Sequence, residues 1–289
     1  MKVSVVTVCK NSEAFIERAM KSVIEQTYKD IEYIIIDGDS QDGTREIIDQ
    51  YSELLSNFVS EPDSGLYSAM NKGIKLATGE FIYFLNSDDY LFDVNVFQDV
   101  VGFISKHPDV EVVYGNVESR SVSGNVRSHK PCRPEDIAKE MICLGNCPIQ
   151  PAMFFKASLF SRLGFFNESY KIAADYEWFI KLIQDEGLKL YYYPRIIVSY
   201  YCGGLSSNIK ALFAEVFEIQ NGADIYKSEY WLNQRIINLE DSIKKIKLRI
   251  KLFQVLLRLP GGVFLLKSLK QLRNYKNAIA RVIKAKKYA

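Results

Sequence analysis

The segment EPDSGLYSAMNKGIKLATGEFIYFLNSDDY, residues 61–90, decides the fold of this chain. It opens on a polar bend, in which Pro62 and Gly65 are typical turn residues. Apolar side chains then recur at helical spacing and predict one buried helix face, formed by Leu66, Met70, Ile74 and Ala77. The unbroken apolar run Phe81–Leu85 follows and is typical of a strand covered on both faces. This turn, helix and strand predict a unit of an α/β fold.

Two adjacent carboxylates, Asp88 and Asp89, directly follow that strand. Ligands of open α/β sheets bind beyond the carboxyl ends of the strands, so both side chains are expected beside a cleft. Carboxylate oxygens are ligands that Mg²⁺ or Mn²⁺ prefers. With Lys72 nearby, such a cleft suits a metal–diphosphate ligand, because the metal neutralises the phosphate charge. Taken alone, an acid pair in a loop is more often only solvated.

The residues before this segment alternate between strand and helix patterns. Val3–Val8 and Ile31–Asp37 are predicted strands, the second ending on an acid aimed at the same cleft. Asn11 or Ser12 is expected to cap the intervening helix. A second helix is predicted from Thr44, with its inward side formed by Ile47, Ile48, Tyr51 and Leu54. This rhythm predicts a mostly parallel sheet with right-handed crossovers.

The second half of the body continues with less regular spacing. The polar segment Ser119–Pro148 shows little periodicity, and we expect it to pass over the cleft as a long substrate loop. Gly79 is expected to end a helix. The remaining elements are predicted as helices at 94–105, 157–163 and 173–185 and as strands at 110–117, 152–155, 188–193 and 196–201.

Asp175 lies near the N-terminus of the predicted helix at 173–185. The helix dipole favours an ionised carboxylate there. Such a group, presented to a cleft, can accept a proton from an attacking hydroxyl. An isolated aspartate at this position is more often a helix cap, so the residues alone leave both roles open.

The charges of the chain are divided unevenly. Residues 242–289 contain 14 Lys and Arg and no acid, whereas residues 1–241 carry 23 basic and 35 acidic groups. We therefore divide the chain into an α/β body at 1–205, a helical connector at 206–238 and a basic amphipathic tail at 239–289. Neither helical part of the tail approaches the run of about 20 apolar residues that a helix needs to cross a bilayer. Its apolar stripe consists of Leu239, Ile243, Ile246, Ile250, Phe253 and Leu257, and a break is expected at Pro260–Gly262.

A basic amphipathic helix of this kind is typical of binding to an anionic membrane surface. The alternatives are a helical hairpin packed on the body and a coiled coil that forms a homodimer. The acidic body gives no reason to expect a nucleic-acid partner. The five cysteines are an odd number, and the N-terminus lacks the pattern of a secretory signal, so free thiols in the cytoplasm are expected. A zinc site at Cys132, Cys143 and Cys147 is disfavoured by the irregular spacing.

Four motifs resemble family 2 of the inverting glycosyltransferases, which have the GT-A fold. The motifs are VSVVTVCKN (3–11), SVIEQTYKDIEYIIIDGDSQDGT (22–44), SEPDSGLYSAMNKGIKLATGEFIYFLNSDD (60–89) and QPAMFFKASLFSRLGFFNESYKIAADYEWFIKL (150–182). They are similar to enzymes of the bacterial surface-polysaccharide branch, such as those of colanic acid, capsule and O-antigen. The resemblance implies a Rossmann-like, mostly parallel central sheet flanked by helices, with the basic helical tail as an addition.

The resemblance also implies a site for a nucleotide-sugar donor. Thr7 and Asp37 would lie near the base of the nucleotide, and Asp88 and Asp89 would bind the metal–diphosphate and ribose. Asp175 matches the catalytic base. The donor pocket would be lined by Asp63, Asn71 and Lys72.

Two departures from the family pattern affect these expectations. Asn86 stands where many relatives have the first acid of an Asp-x-Asp motif, so Asp88 and Asp89 are left to carry the metal. Ser68 replaces an Asp that close relatives usually have, which leaves the donor sugar open.

We therefore expect a metal-dependent inverting glycosyltransferase that uses a UDP-sugar and a lipid-linked glycan acceptor at the inner face of the cytoplasmic membrane. A sugar-phosphate nucleotidyltransferase is the alternative enzyme, but it needs a glycine-rich phosphate loop, which Val3–Asn11 lacks. A catalytically silent glycan-binding or scaffold protein is the other alternative. It predicts the loss of Asp88 or Asp175, and both are present.

Overall fold

The computed structural model describes residues 1–144 and 148–258. The chain forms a compact unit, Met1–Ser228, and a second unit that begins at Glu229. The strands are β1 (Val3–Cys9), β2 (Ile31–Asp37), β3 (Asn57–Ser60), β4 (Phe81–Asn86), β5 (Tyr90–Leu91), β6 (Val112–Arg120), β7 (Val126–His129), β8 (Met153–Lys156) and β9 (Leu190–Tyr201).

Helices flank the sheet, and two more follow its last strand, β9, within the described part of the chain. They are α1 (Ile16–Ile24), α2 (Thr44–Asp49), α3 (Leu66–Leu76), α4 (Val96–Ile104), α5 (Ile137–Leu144), α6 (Ser158–Leu163), α7 (Ala174–Ile183), α8 (Ile209–Gly222) and α9 (Glu229–Arg258). The side chains on the sheet side of α1 are Ile16, Ala19, Met20 and Val23, and all are buried. Their spacing places them on one face of the helix, as the sequence predicted.

The sheet has nine strands in the order β3-β2-β1-β4-β8-β6-β9-β5, with β7 paired to β6. Strands β3, β2, β1 and β4 are mutually parallel. β8 then runs antiparallel to both β4 and β6, whereas β6 and β9 are parallel. The predicted α/β architecture, a mostly parallel central sheet flanked by helices, is confirmed. Every residue of β1 is buried, as is typical of a central strand covered on both faces.

Several predicted boundaries differ from the structure. α2 ends at Asp49, and Leu54, which was predicted to face inward, is 58% exposed. Gly79 lies beyond the end of α3 at Leu76, so it does not end that helix. The predicted loop at 119–148 contains β7 and α5. The two strands predicted at 188–193 and 196–201 form one strand, β9, whose pairing to β6 shifts register near Asn116.

The compact unit extends past residue 205, where the sequence placed the end of the body. α8 contributes the buried side chains Val216, Ile219 and Gln220. The Gln220 amide donates to the hydroxyl of Tyr176 at 2.8 Å, and that hydroxyl lies 2.7 Å from the hydroxyl of Tyr226. Because these polar groups are buried and satisfy one another, they fasten the segment that ends at Ser228 to α7.

The second unit begins with the 30-residue helix α9. No helix in the described ranges contains an apolar window long enough to span a membrane. Within α9, Ile236, Ile243 and Leu248 are about half-exposed. The predicted break at Pro260–Gly262 and the helix expected after it lie outside the described residues, as do most side chains of the predicted apolar stripe.

Candidate active site

A cleft of about 1370 Å³ opens at the carboxyl ends of β1 and β4. One part of its lining consists of the turn after β1, the bend at Asp63–Leu66 and the turn after β4. A second part, which includes α7 and α8, consists of Gln150–Met153, the start of α7, the segment Tyr200–Ser206 and one side of α8. Three predicted site residues line this cleft, namely Asp63, Asp88 and Asp175.

Asp88 presents its carboxylate to the cleft at the end of the β4 turn. Gly204 lies against it, because a Cβ added at Gly204 would be 2.9 Å from Oδ2 of Asp88. Arg120 holds the same turn by donating from Nη2 to the backbone carbonyl of Asp88 at 2.8 Å. The Arg120 guanidinium also lies 4.4 Å from the ring centre of Tyr90. Burial raises the pKa of Asp88, and the nearby Arg120 charge lowers it in part.

Asp89 has a different environment from Asp88. Its side chain is 1% exposed and does not line the cleft. Oδ1 accepts from the backbone N–H of Tyr201 at 2.7 Å, and Oδ2 accepts from the Asn86 amide at 3.3 Å. Burial and the neighbouring Asp88 carboxylate hold the pKa of Asp89 well above its ordinary value. Asp89 therefore joins the β4 turn to β9, and of the two predicted metal ligands only Asp88 faces the cleft.

The oxygen atoms at the β4 turn fit a divalent cation. The buried Oδ1 of Asn86 has no hydrogen-bond partner among the described residues, and Asp88 offers a carboxylate two residues later. Both are hard oxygen donors of the kind that Mg²⁺ and Mn²⁺ accept. Across the described part of the chain, no three His, Cys, Asp or Glu side chains cluster as a metal site. A cation here would need further ligands from a bound substrate and water.

Asp175 lies in the first turn of α7 and lines the same cleft as Asp88. Its Oδ1 accepts hydrogen bonds from the Tyr67 hydroxyl and the Tyr176 backbone N–H, both at 2.9 Å. Burial raises the pKa of Asp175, and the hydrogen bond from Tyr67 opposes that rise. The carboxylate is thus oriented through Oδ1. A carboxylate with a raised pKa in a cleft is suited to general-base work.

Glu215 of α8 supports the segment that leads into α7. Its carboxylate accepts the backbone N–H groups of Lys171, Ile172 and Ala173, each at 2.9 Å. These three donors precede the helix and would otherwise need water, so Glu215 fixes where α7 begins. The negative charge of Glu215 also contributes to the raised pKa of Asp175.

Asp37 and Thr7, predicted near the nucleotide base, are both fully buried and do not line the cleft. Asp37 Oδ2 accepts from the Ser40 backbone N–H at 3.0 Å and from the Ser60 hydroxyl at 2.7 Å, and the Ser40 hydroxyl bonds to Oδ1. Burial raises the pKa of Asp37, but these hydrogen bonds outweigh it and hold the pKa low. The Thr7 hydroxyl lies 3.2 Å from that of Tyr33.

The three residues predicted to line the donor pocket have separate environments. Asp63 lines the cleft and accepts the Gly65 N–H at 2.9 Å, in a turn where Gly65 has φ +139°. Lys72 pairs with Glu61 at 2.8 Å and does not line the cleft. Asn71 is 3% exposed, and its amide bonds to both backbone polar groups of Phe166. Asn71 therefore joins α3 to the segment before α7.

Sequence reasoning did not identify three residues that shape this site, namely Tyr67, Arg120 and Glu215. Tyr67 lies in the motif at residues 60–89, so the family resemblance already pointed to this part of the chain. Arg120 and Glu215 have no sequence signal of this kind, because the partners described above lie 32 and 42–44 residues away along the chain. Such contacts become visible only when the chain is folded.

The sheet and cleft define a GT-A protein, and comparison with solved structures agrees. TarS 1–349 of S. aureus superposes with a TM-score of 0.60 at 22% identity, over 82% of this chain and 71% of that chain. Mannosyltransferase PcManGT from Pyrobaculum calidifontis, solved with GDP-Man and Mn²⁺, gives a TM-score of 0.55 at 17% identity, over 95% and 81%. This chain spans 39% of a longer TarS structure.

Sequence comparison assigns the family. Residues 4–164 match the sequence model of glycosyl transferase family 2. A PGL/p-HBAD biosynthesis glycosyltransferase of Mycobacterium bovis is 31% identical over 211 residues, covering 71% of this chain and 79% of that protein. An uncharacterized glycosyltransferase of Mycobacterium tuberculosis is 34% identical over 180 residues, covering 62% and 68%. The chain belongs to glycosyl transferase family 2.

Proposed function

We propose that this family 2 protein transfers a sugar, with inversion, from a UDP-sugar to a hydroxyl of a lipid-linked glycan in surface-polysaccharide synthesis. The observation that carries the proposal is that Asp88 and Asp175 line the same cleft. A group that holds the diphosphate leaving group and a separate base are the two needs of a single-displacement transfer. S. aureus TarS structures hold UDP and UDP-GlcNAc, which supports the choice of a nucleotide-sugar donor.

The donor occupies the wall formed by the β1, Asp63 and β4 turns. Asp88 and Oδ1 of Asn86, which has no hydrogen-bond partner among the described residues, would hold Mg²⁺ or Mn²⁺ there. A bound cation would supply charge neutralisation to the diphosphate. Asp37 and Thr7, although buried, shape the floor beneath the nucleotide, and Asn71, Lys72 and Asp89 hold the turns that contact the donor. The PcManGT complex, which contains Mn²⁺, supports a divalent cation.

The acceptor enters along the α7 and α8 wall. Asp175 accepts the proton of its hydroxyl, and the oxygen attacks the anomeric carbon on the face opposite the nucleoside diphosphate. Tyr67 and the Tyr176 N–H keep Asp175 Oδ1 in place during this transfer. Because the attack and departure occur on opposite faces, the sugar configuration inverts.

The chain is proposed to act at the inner face of the cytoplasmic membrane, as a GT-A body followed by a connector and the basic tail at 239–289. The tail would hold the body beside a lipid-linked acceptor, and a homodimer formed through the tail is the alternative arrangement. The 14 unbalanced cations after residue 241 support the first arrangement.

A donor panel tests this function. Full-length protein is incubated with UDP-, GDP-, ADP- and TDP-sugars, and release of the nucleoside diphosphate is measured with Mg²⁺, with Mn²⁺ and with excess chelator. We expect the nucleoside diphosphate to be released from UDP-sugars only when the cation is present. Asp88→Ala should abolish this release. Asp49→Ala is the matched control, because Asp49 is exposed on α2 and away from the cleft. Full turnover in chelator would contradict the role of the metal, and release from no UDP-sugar would contradict the donor class.

A further inference from the structure

One side of α8 forms part of the cleft and carries only apolar side chains there. Ile209, Leu212, Phe213 and Val216 all line the cleft, at the i, i+3, i+4 and i+7 positions of a single helix face. Leu205, which precedes the helix, lines the same wall. We call Leu205, Ile209, Leu212 and Phe213 the apolar rim.

This face is buried at Val216 and is more exposed towards the start of α8. Val216 is next to Glu215, which holds the segment before Asp175, and it is 6% exposed. Phe213 is 57% exposed, Ile209 61% and Leu205 62%. The apolar side chains of α8 that line the cleft therefore include a buried residue beside Glu215 and exposed residues at the start of the helix.

Large exposed apolar side chains that are contiguous mark a ligand groove or an interface. Here they line the wall that also bears Asp175, so their occupant is a molecule that enters the cleft beside the base. The cleft side chains of α8 offer no hydrogen-bonding group. A sugar placed on them would lose water from its hydroxyls without gaining partners, which is costly. An apolar group placed there would be stabilised in proportion to the area it buries.

We propose that the apolar rim binds the hydrocarbon chain of the acceptor, next to the group whose hydroxyl reaches Asp175. This rests on the function proposed above and adds the location and chemistry of the acceptor's apolar subsite. The enzyme then selects acceptors by their chain as well as by their sugar. A soluble glycan with the same terminal sugar and no chain binds weakly.

The test is a binding measurement on the full-length protein. N-phenyl-1-naphthylamine, a neutral fluorophore, is bound first and then displaced by decyl glucoside or methyl glucoside below the micelle concentration. We expect decyl glucoside to displace it and methyl glucoside to fail at the same concentration. Phe213→Ser should weaken decyl glucoside binding about fivefold or more, because about half of a large apolar side chain is available for burial.

Phe217→Ser is the matched control. Phe217 lies one turn further along α8, is 58% exposed and does not line the cleft, so its replacement should leave displacement unchanged. Circular dichroism verifies folding, and Ile209→Ser replaces Phe213→Ser if that variant unfolds. The proposal is overturned if both glucosides displace the dye equally or if Phe217→Ser weakens binding as much as Phe213→Ser. It is also overturned if Phe213→Ser converts a dimer to a monomer while decyl glucoside binding stays the same.

Failure of the proposed function gives a different result. In that case no donor releases its nucleoside diphosphate, whatever the glucoside result. Where transfer to a glycoside is detected, paired methyl and decyl acceptors of the same sugar provide a second measurement. A lower KM for the decyl acceptor than for the methyl acceptor, which Phe213→Ser removes and Phe217→Ser retains, supports the apolar rim. Equal KM values for the pair contradict it.

Discussion

Asp175 shows how the fold prepares one carboxylate for its task. It lies in the first turn of α7, where the helix dipole favours the ionised form, yet burial raises its pKa. Burial has the larger effect. Tyr67 from α3 and Glu215 from α8 then set its orientation and the position of its helix. Three elements that are distant in sequence therefore position one carboxylate.

Asp175→Asn should slow transfer by about 10²–10⁴-fold and leave donor binding unchanged. Asparagine keeps the size of the side chain and can still accept from Tyr67 through its carbonyl oxygen, but it cannot accept the proton. Transfer rate and donor affinity are measured separately, by product formation and by calorimetric titration with UDP. A variant within a few-fold of the wild-type rate would place the base elsewhere.

The pH dependence of the same reaction follows from the raised pKa of Asp175. The base must be ionised, so the wild-type transfer rate falls as the pH drops through that pKa. The acid limb should lie above pH 3.8, the ordinary aspartate value. The residual activity of Asp175→Asn should lack this limb, and its persistence in the variant would assign it to another group.

At the scale of secondary-structure elements, Glu32 fastens the amino-terminal edge of the sheet. It lies in β2, is 8% exposed and accepts from the Ser4 hydroxyl of β1 at 2.5 Å. It also accepts from the backbone N–H and the hydroxyl of Thr78, just after α3, at 2.7 and 2.6 Å. One carboxylate thus joins two strands and the α3–β4 connection at the side of the sheet away from the cleft.

Glu32→Gln should lower the free energy of unfolding by about 1–3 kcal/mol at pH 7, because a buried set of donors loses its charged acceptor. Burial raises the pKa of Glu32, but the hydrogen bonds from Ser4 and Thr78 outweigh it and lower the pKa below 4.5. The stabilisation is therefore complete above pH 4.5 and is lost as the pH falls through the folded-state pKa.

Urea unfolding at a series of pH values measures this difference. Glu25→Gln, an exposed glutamate at the end of α1, is the control and should change stability by less than about 0.5 kcal/mol. A Glu32→Gln effect that stays constant down to pH 3 would contradict the assignment.

Local pattern was sufficient for the elements whose burial is uniform. β1, β2, β4 and the apolar face of α1 were predicted because a central strand is apolar throughout and a surface helix is apolar on one side. β3 and β5 were missed because four half-buried residues and a two-residue strand have no periodicity to detect. The antiparallel direction of β8 was not predicted, since strand direction depends on long-range connection rather than local sequence.

The candidate site also contains residues that the sequence could predict and contacts that it could not. Asp63, Asp88 and Asp175 were predicted from strand-end position or from the family resemblance, and the structure brings them to one cleft. The different burial of Asp88 and Asp89 could not be predicted, because it depends on the approach of Tyr201 from β9. The hydrogen bonds of Glu215 to the segment before α7 could not be predicted either. They are made by α8, a part of the chain for which the sequence suggested only a connector.

At the scale of the whole molecule, the division of charge predicts a division of roles. The protein truncated after Ser228 should remain a folded body that hydrolyses donor slowly and no longer transfers to acceptor embedded in a membrane. Each cation near an anionic surface contributes about 1 kcal/mol, an effect that salt screens. The 14 cations after residue 241 cannot all face the lipid at once, so their sum is an upper bound.

Vesicle co-sedimentation of the full-length and truncated proteins tests this expectation, with and without anionic lipid, at low and high salt. Full-length protein should sediment with anionic vesicles at low salt only. Equal sedimentation of the two proteins would exclude a membrane role for the tail. A full-length dimer beside a truncated monomer would assign the tail to dimerisation instead.

The order of the strands has a consequence for how new specificities could arise. Strands β3, β2, β1 and β4 come from residues 3–86, whereas β8, β6 and β9 come from residues 112–201. The two groups meet along the short β4–β8 pairing of Phe81–Tyr83 with Phe154–Lys156. On the function proposed here, the first group carries the donor and the second the acceptor. Recombination within α4 would therefore exchange acceptors while the donor is inherited unchanged, so a chimaera is a direct route to a new glycosidic product.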